Sequence, residues 1–146
     1  MRKIGPSKRF CLPTQRGRDG YGSGKFGASR GSRRHNGLDI AVAQGTPIYA
    51  PEAARVVSTS APVYSNPDKA HKRLVHLMTE DGVSHLLMYV RAAQGLRAGG
   101  KVEAGDLIGY AQGLQDIYPG ITDHIHWEVR MPETRIDPVS YLIGES

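Results

Sequence analysis

The sequence predicts a mainly β protein made of short strands and many turns, on three observations. The 18 glycines and 9 prolines among 146 residues are spread between short segments, as turn residues are. Those segments are rich in Val, Ile, Leu and Tyr, which favour strands. No segment has an apolar stripe at helical spacing for more than about ten residues. The length suits one modest core, so we expect a single folded domain.

The strands can be placed from their apolar composition and from the turn residues between them. Glu80-Asp81-Gly82 separates two such segments and predicts a hairpin turn. Residues 65–72 are polar and contain Asn66-Pro67-Asp68, which predicts an exposed loop. Pro138 predicts the start of a short closing helix. The predicted strands are Leu38–Ala41, Pro47–Tyr49, Ala54–Thr59, Arg73–Thr79, Ser84–Val90, Leu107–Gln112 and His124–Arg130.

The positive charge is concentrated near the N-terminus. Residues 1–34 contain ten Lys or Arg and one acidic residue, whereas residues 35–146 contain nine basic and thirteen acidic side chains. A nucleic-acid surface also needs stacking aromatics, and this segment offers only Phe10, Tyr21 and Phe26. The pattern argues against a nucleic-acid partner and favours an arm docked on an acidic surface. We divide the chain into a basic arm, residues 1–19, and a domain, residues 20–146.

Cysteine content and hydropathy exclude several classes of protein. The single cysteine, Cys11, cannot form an internal disulfide or a cysteine-rich zinc module. A bound metal would therefore need His and carboxylate ligands. No run of eighteen apolar residues occurs, so membrane insertion is not expected. The first residues also lack the apolar stretch of a secretion signal.

The segment from His124 to Val129 alternates polar and apolar residues with a period of two. On a strand, His124, His126 and Glu128 would share one face, and the apolar residues between them would pack inward. A half-buried strand whose polar face happens to carry two histidines would show the same pattern.

A second histidine segment lies earlier in the chain. His35 and Asp39 are four residues apart, which places both on one side of an extended chain. Gly37 between them allows close approach of the backbone to a ligand. With one histidine from the later strand they would supply three ligands and leave a fourth position open, as in catalytic zinc sites. A surface His–Asp pair is the alternative interpretation.

Three ordered motifs carry a family resemblance. They are His35-x-Gly37-x-Asp39-Ile40 with residues 45–51, Gly99-x-Lys101-Val102-x-x-Gly105, and His124-x-His126-x-Glu128. Together they resemble the lysostaphin-type (LytM-like) zinc metallopeptidases over about residues 20–142. Within that family, residues 117–126 and Asp137-Pro138 are most similar to the leukocyte cell-derived chemotaxin branch.

The resemblance implies a small antiparallel β-sheet domain with an open groove and a duplicated-hairpin, β-barrel-like core. It also implies a zinc ion bound by His35, Asp39 and His126, with His124 as a catalytic histidine that does not bind the metal. Such a zinc ion lowers the pKa of its bound water and polarises the scissile carbonyl. We expect Tyr118 to wall the groove, and Glu128 either to face the groove or to orient a metal ligand.

The sequence departs from the family at a second catalytic histidine, which normally lies in a Tyr-x-His-Leu stretch. Counting back from the Lys101-Val102 motif places Val90 there without a gap and Tyr89 with one. A tyrosine can donate a hydrogen bond to an oxyanion. His85 and His76 are two other candidate substitutes. The chemotaxin branch lacks this histidine too and is regarded as a zinc-binding branch without peptidase activity.

Two functions from different classes follow. The first is a zinc endopeptidase acting on the peptide cross-links of bacterial cell-wall peptidoglycan. The second is an inactive zinc-binding module with a structural or recognition role. The wall lies outside the cytoplasm, so we expect delivery within a phage tail or baseplate, with the basic arm against neighbouring virion subunits. Release on lysis is the other route.

Overall fold

The computed structural model describes residues 29–30, 33–34, 37–131, 134–138 and 141. The basic arm, Cys11 and His35 lie outside these residues. No helix in the described ranges is long and apolar enough to cross a membrane. Those ranges contain a 3₁₀ turn at Pro67–Lys69 and twelve strands. The strands are β1 (Ser29–Arg30), β2 (Arg33–Arg34), β3 (Leu38–Ala41), β4 (Pro47–Tyr49), β5 (Ala54–Pro62), β6 (Arg73–Met78), β7 (Ser84–Met88), β8 (Val90–Ala92), β9 (Lys101–Val102), β10 (Leu107–Ala111), β11 (His124–Met131) and β12 (Thr134–Ile136).

The strands form one large sheet, one small sheet and a short pair. The large sheet has the order β12-β11-β7-β6-β5-β9, and β3 also pairs with β11. The small sheet has the order β4-β10-β8, and β1 pairs with β2. Each of these pairings is antiparallel. The prediction of a mainly β, antiparallel domain is therefore confirmed.

The two sheets share one hydrophobic core. Trp127, Leu87 and Leu77 from the large sheet pack in one buried cluster with Ile48 and Ile108 from the small sheet. Alternate residues of β11 turn inward, as the period of two predicted, because successive side chains of a strand point to opposite faces. The histidines of β11 consequently lie on the face turned away from the core.

A group of polar side chains is buried inside this core. The indole Nε1 of Trp127 donates to Nδ1 of His85 at 3.0 Å, and Nε2 of His85 contacts Oε2 of Glu52 at 2.6 Å. The Tyr141 hydroxyl donates to the same Glu52 oxygen at 2.6 Å. An indole N–H can only donate, so His85 Nδ1 must accept and its proton sits on Nε2. Through Glu52, these contacts link Tyr141 to His85 on β7.

These contacts overturn one sequence-based candidate. His85 is fully buried on the core face of β7, so it cannot replace the missing catalytic histidine. His76 lies on β6, with β7 between it and β11, and its Nε2 contacts the Ser84 hydroxyl at 2.9 Å. Burial lowers the pKa of His76, and the nearby positive charge of Arg130 lowers it further. Neither His85 nor His76 lies where it could replace the family's second catalytic histidine.

The predicted strand 84–90 is broken at Tyr89. This residue has a left-handed φ of 68°, which turns the chain out of the large sheet at the end of β7 and into the small sheet at β8. Left-handed backbone is strained for a bulky residue and costs about 1–3 kcal/mol. The apolar composition of the segment cannot show such a break, because both halves are strand-forming.

The polar loop 65–72 is exposed over residues 65–68, as predicted, but Lys72 at its end is buried. Lys72 is only 3% exposed, and its ammonium donates to Gly113 O and contacts Asp116 Oδ1, both at 2.8 Å. Hydrogen bonds from Lys72 and His71 lower the pKa of Asp116 to about 2. The lysine thereby fastens this loop to the segment that precedes β11.

Candidate functional site

The site is built around a direct cross-strand pair. In the register of β3 and β11, Asp39 lies opposite His126, and antiparallel partners point to the same face. His126 Nδ1 lies 2.8 Å from Asp39 Oδ1. Asp39 is only 2% exposed, so its carboxylate is held in place by these neighbours rather than by solvent. Two residues that are distant in sequence thus present an oxygen and a nitrogen to the same point.

His124 approaches the other oxygen of the same carboxylate. Its Nε2 lies 3.4 Å from Asp39 Oδ2, and its Nδ1 is 2.6 Å from the Thr122 carbonyl oxygen. A carbonyl oxygen only accepts, so Nδ1 of His124 carries a hydrogen and donates it. The nitrogen directed at the site is therefore Nε2.

Glu128 stands behind His126. Its Oε2 contacts His126 Nε2 at 2.9 Å, and its Oε1 accepts from Nε and Nη2 of Arg130 at 2.9 and 2.7 Å. Glu128 is 6% exposed, so this carboxylate faces the histidine and the arginine rather than an open groove. Of the two roles expected for Glu128, the geometry matches that of a carboxylate that orients a ligand.

These contacts also shift the pKa values of His126 and Glu128. Burial disfavours the imidazolium, but the hydrogen bonds and negative charges of Asp39 and Glu128 outweigh it and raise the pKa of His126 to about 9. Burial acts in the opposite direction on Glu128, where His126 and Arg130 prevail and lower the pKa to about 2. Without a metal, the positive imidazolium is held between two carboxylates.

The donor chemistry fits a divalent metal ion. A carboxylate oxygen of Asp39 faces His126 Nδ1, while the other ring nitrogen is bonded to a carboxylate, the usual arrangement of a metal-bound imidazole. The third expected ligand, His35, lies outside the described residues. Within the described part of the chain, no group of three or more His, Cys, Asp or Glu side chains has metal-binding geometry. The fit therefore rests on Asp39 and His126.

Tyr89, rather than Val90, contacts His124. The rings of Tyr89 and His124 meet edge to face, with centroids 5.6 Å apart and planes at 86°. Val90 is completely buried in the main core. The left-handed backbone at Tyr89 accounts for this outcome, because it shifts the alternation of side chains by one residue. The gapped alignment therefore corresponds to the observed geometry.

Tyr118 belongs to a tyrosine cluster beside the site that the sequence did not reveal. Its hydroxyl donates to the Tyr64 hydroxyl at 3.0 Å, and the Tyr64 hydroxyl is 2.7 Å from that of Tyr89. Leu114 and Ile121 pack with these rings in a second, smaller apolar cluster. No motif surrounds Tyr64, and only the fold brings it next to Tyr89.

The segment before β11 is held by Asp123. Its Oδ1 accepts from Leu114 N at 2.9 Å and from Gln115 Nε2 at 3.0 Å. Gln115 also donates to Ile121 O and accepts from Gly120 N. The loop that carries Tyr118 is thereby fixed by its own side chains to the residue that precedes His124.

Comparisons with known proteins agree with this geometry. The model of peptidase family M23 matches residues 33–138. Leukocyte cell-derived chemotaxin-2 of Mus musculus is 30% identical over 124 residues, which are 85% of this chain and 76% of the relative. The predicted resemblance to the lysostaphin-type peptidases and their chemotaxin branch is confirmed.

Solved structures show the same fold. The catalytic domain of the antimicrobial peptidase lysostaphin from Staphylococcus simulans superposes with a TM-score of 0.59 at 22% identity, over 84% of this chain and 89% of that domain. A zinc-containing peptidase from Vibrio cholerae superposes with a TM-score of 0.61 at 18% identity, over 87% of this chain. The chain spans only 38% of that peptidase and 54% of a longer lysostaphin chain.

Proposed function

Since this chain belongs to peptidase family M23, we propose that it is a zinc-dependent endopeptidase acting on the peptide cross-links of bacterial cell-wall peptidoglycan. The observation that carries the proposal is the buried Asp39–His126 pair with His124 on the other carboxylate oxygen. A zinc-containing peptidase and lysostaphin, with the same fold, support it.

Asp39 and His126 would hold the zinc ion together with His35. A bound zinc ion would supply a water of lowered pKa and polarise the scissile carbonyl. Glu128 keeps Nε2 of His126 occupied and so leaves Nδ1 as the ligating nitrogen. Arg130 in turn holds Glu128 in place through two contacts with one oxygen.

His124 and Tyr89 would assist the reaction. His124 donates through Nδ1 to Thr122, so its Nε2 is the atom that takes and later returns a proton. Tyr89 would donate a hydrogen bond to the oxyanion in place of the family's second histidine. Loss of one such group typically lowers a rate by two to three orders of magnitude, so a slow enzyme is expected.

A second function is favoured by Tyr89 itself. A tyrosine occupies the place of a catalytic histidine, and the chain is 30% identical to mouse chemotaxin-2. The same zinc site would then stabilise the fold or bind a partner without hydrolysis.

The site of action would be the cell wall, outside the cytoplasm. We infer that the protein is delivered within a phage tail, because residues 1–34 are strongly basic and could dock on an acidic neighbouring subunit. The test is mass spectrometry of purified virions; absence of the chain from tail fractions would reject this route.

The function is tested by metal analysis of the purified protein and by peptide release from purified sacculi. We expect about one zinc per chain and slow peptide release that His124→Ala lowers by about two to three further orders of magnitude while the zinc remains. Zinc without release by the wild type would establish the non-hydrolytic module instead. A protein that binds no zinc would reject both functions.

Gly37 provides a separate test of the metal site. A Cβ added there would lie 2.6 Å from Trp127 O and 2.7 Å from His126 Nε2, so the histidine or the chain before β3 must move. We expect Gly37→Ala to weaken zinc affinity by at least about 10-fold, measured by competition with a chelating dye. Gly100→Ala is the control, because its Cβ would meet only Arg97 O at 3.1 Å. Equal zinc affinities in the two variants would contradict the assignment.

A further inference from the structure

A line of three tyrosine hydroxyls leads to the candidate site from a lysine. Lys69 Nζ donates to the Tyr118 hydroxyl at 3.3 Å, and the Tyr118 hydroxyl donates to that of Tyr64 at 3.0 Å. The Tyr64 hydroxyl lies 2.7 Å from that of Tyr89. The Lys69 ammonium also sits over the Tyr118 ring, 4.6 Å from its centroid. A positive charge therefore terminates the line at the end away from His124.

The chemistry of the groups gives the line a direction. An ammonium can only donate, so the Tyr118 oxygen accepts from Lys69 and its hydrogen is given to Tyr64. Within the described residues, the hydroxyl of Tyr64 contacts only the hydroxyls of Tyr118 and Tyr89. Either hydroxyl of the Tyr64–Tyr89 pair can donate; because the Tyr64 oxygen already accepts from Tyr118, we assign the Tyr64 hydrogen to the Tyr89 oxygen. Burial raises the pKa of Tyr64, as do its tyrosine neighbours, so it keeps this hydrogen.

A hydroxyl that accepts a hydrogen bond becomes a stronger donor, because linked hydrogen bonds polarise one another. Of the three tyrosines, Tyr89 lies nearest the candidate site, and its ring lies against His124. Its strained left-handed backbone, φ 68°, holds it there. Strain of this kind is concentrated at functional sites.

We propose that Tyr64 is a positioning residue: its hydroxyl orients and polarises that of Tyr89 toward an oxyanion at the metal, with Tyr118 and Lys69 as the charged end of the line. The inference rests on the proposed zinc site. It does not require turnover, since any tetrahedral oxyanion bound there would accept the same hydrogen bond. Inorganic phosphate is such a probe.

The experiment is calorimetric titration of the zinc-loaded protein with inorganic phosphate. We expect Tyr89→Phe to weaken phosphate binding about 10-fold, the effect of losing a hydrogen bond to a charged group. Tyr64→Phe keeps the ring and should weaken binding about 3-fold. The double variant should match Tyr89→Phe, because Tyr64 acts only through Tyr89. Tyr110→Phe is the control, since the ring of Tyr110 contacts Arg91 and no hydrogen bond of its hydroxyl enters the line.

Unchanged phosphate affinity in Tyr64→Phe would overturn the proposal, as would two single effects that add in the double variant. A second readout needs no metal: with ζ-carbon-labelled tyrosine, Tyr64→Phe should shift the Tyr89 resonance and leave that of Tyr110 in place. An unmoved Tyr89 resonance would also overturn the proposal. Failure to release wall peptides, with both results intact, would reject only the peptidase function.

Discussion

If the proposed function holds, replacing His126 with alanine is expected to abolish zinc binding and, with it, peptide release from sacculi. His126 supplies the nitrogen that faces Asp39, and its loss leaves a buried carboxylate with one fewer partner. Substituting a residue that only hydrogen-bonds to a metal ligand typically lowers metal affinity by about 10- to 100-fold. Loss of a ligand itself should lower the zinc affinity by more than that. Metal analysis after dialysis and a chelator competition measure the effect.

His71→Ala is the matched control for this change. His71 is exposed in the loop before β6 and contacts Asp116 at 2.7 Å, so its replacement removes a histidine without touching the site. The control should keep one zinc per chain and the wild-type rate. Wild-type zinc affinity in His126→Ala would show that the ligands lie elsewhere.

A large loss of stability is expected on replacement of His85. His85→Leu leaves the Trp127 indole N–H without its acceptor and removes one donor from the buried Glu52 carboxylate. Breaking a buried hydrogen-bonded pair typically costs several kcal/mol, and we expect about 3 kcal/mol in the free energy of unfolding. Urea unfolding followed by tryptophan fluorescence reports it, because Trp127 is the single tryptophan.

His76→Leu is the control on the neighbouring strand of the same hairpin. His76 is half-buried on the opposite face and contacts only the Ser84 hydroxyl among the hydrogen bonds described. Its loss should change the free energy of unfolding by less than about 1 kcal/mol. Equal losses of unfolding free energy in the two variants would show that the buried hydrogen bonds of His85 do not stabilise the fold.

The sequence was informative where the pattern is local. Alternation over residues 124–129 predicted which face of β11 carries the histidines, and Glu80-Asp81-Gly82 predicted a hairpin in which Gly82 has a positive φ of 89°. Both features depend on residues within a few positions of one another. The mainly β content followed from the number of such segments, whereas the antiparallel sheet was implied by the family resemblance.

The sequence could not predict features that depend on tertiary contacts. The break at Tyr89 separates two segments of equal strand propensity. β9 and β12 are too short for an apolar signal, with two and three residues. Tyr64 and Tyr89 are 25 residues apart, and His85 and Glu52 are 33 apart, so each pair meets only in the folded sheet.

The pairing of β3 with β11 has a consequence for the order of folding. Asp39 and His126 are 87 residues apart in the chain, yet they are adjacent in the sheet. Contacts that close so long a segment form late, because the chain loses conformational entropy on closing before the new contacts stabilise it. The chain between them includes the β6–β7 hairpin, which can form from local contacts first. The proposed metal-binding pair is completed only when the last strands dock, so an ion bound there would be captured at the end of folding rather than at its start.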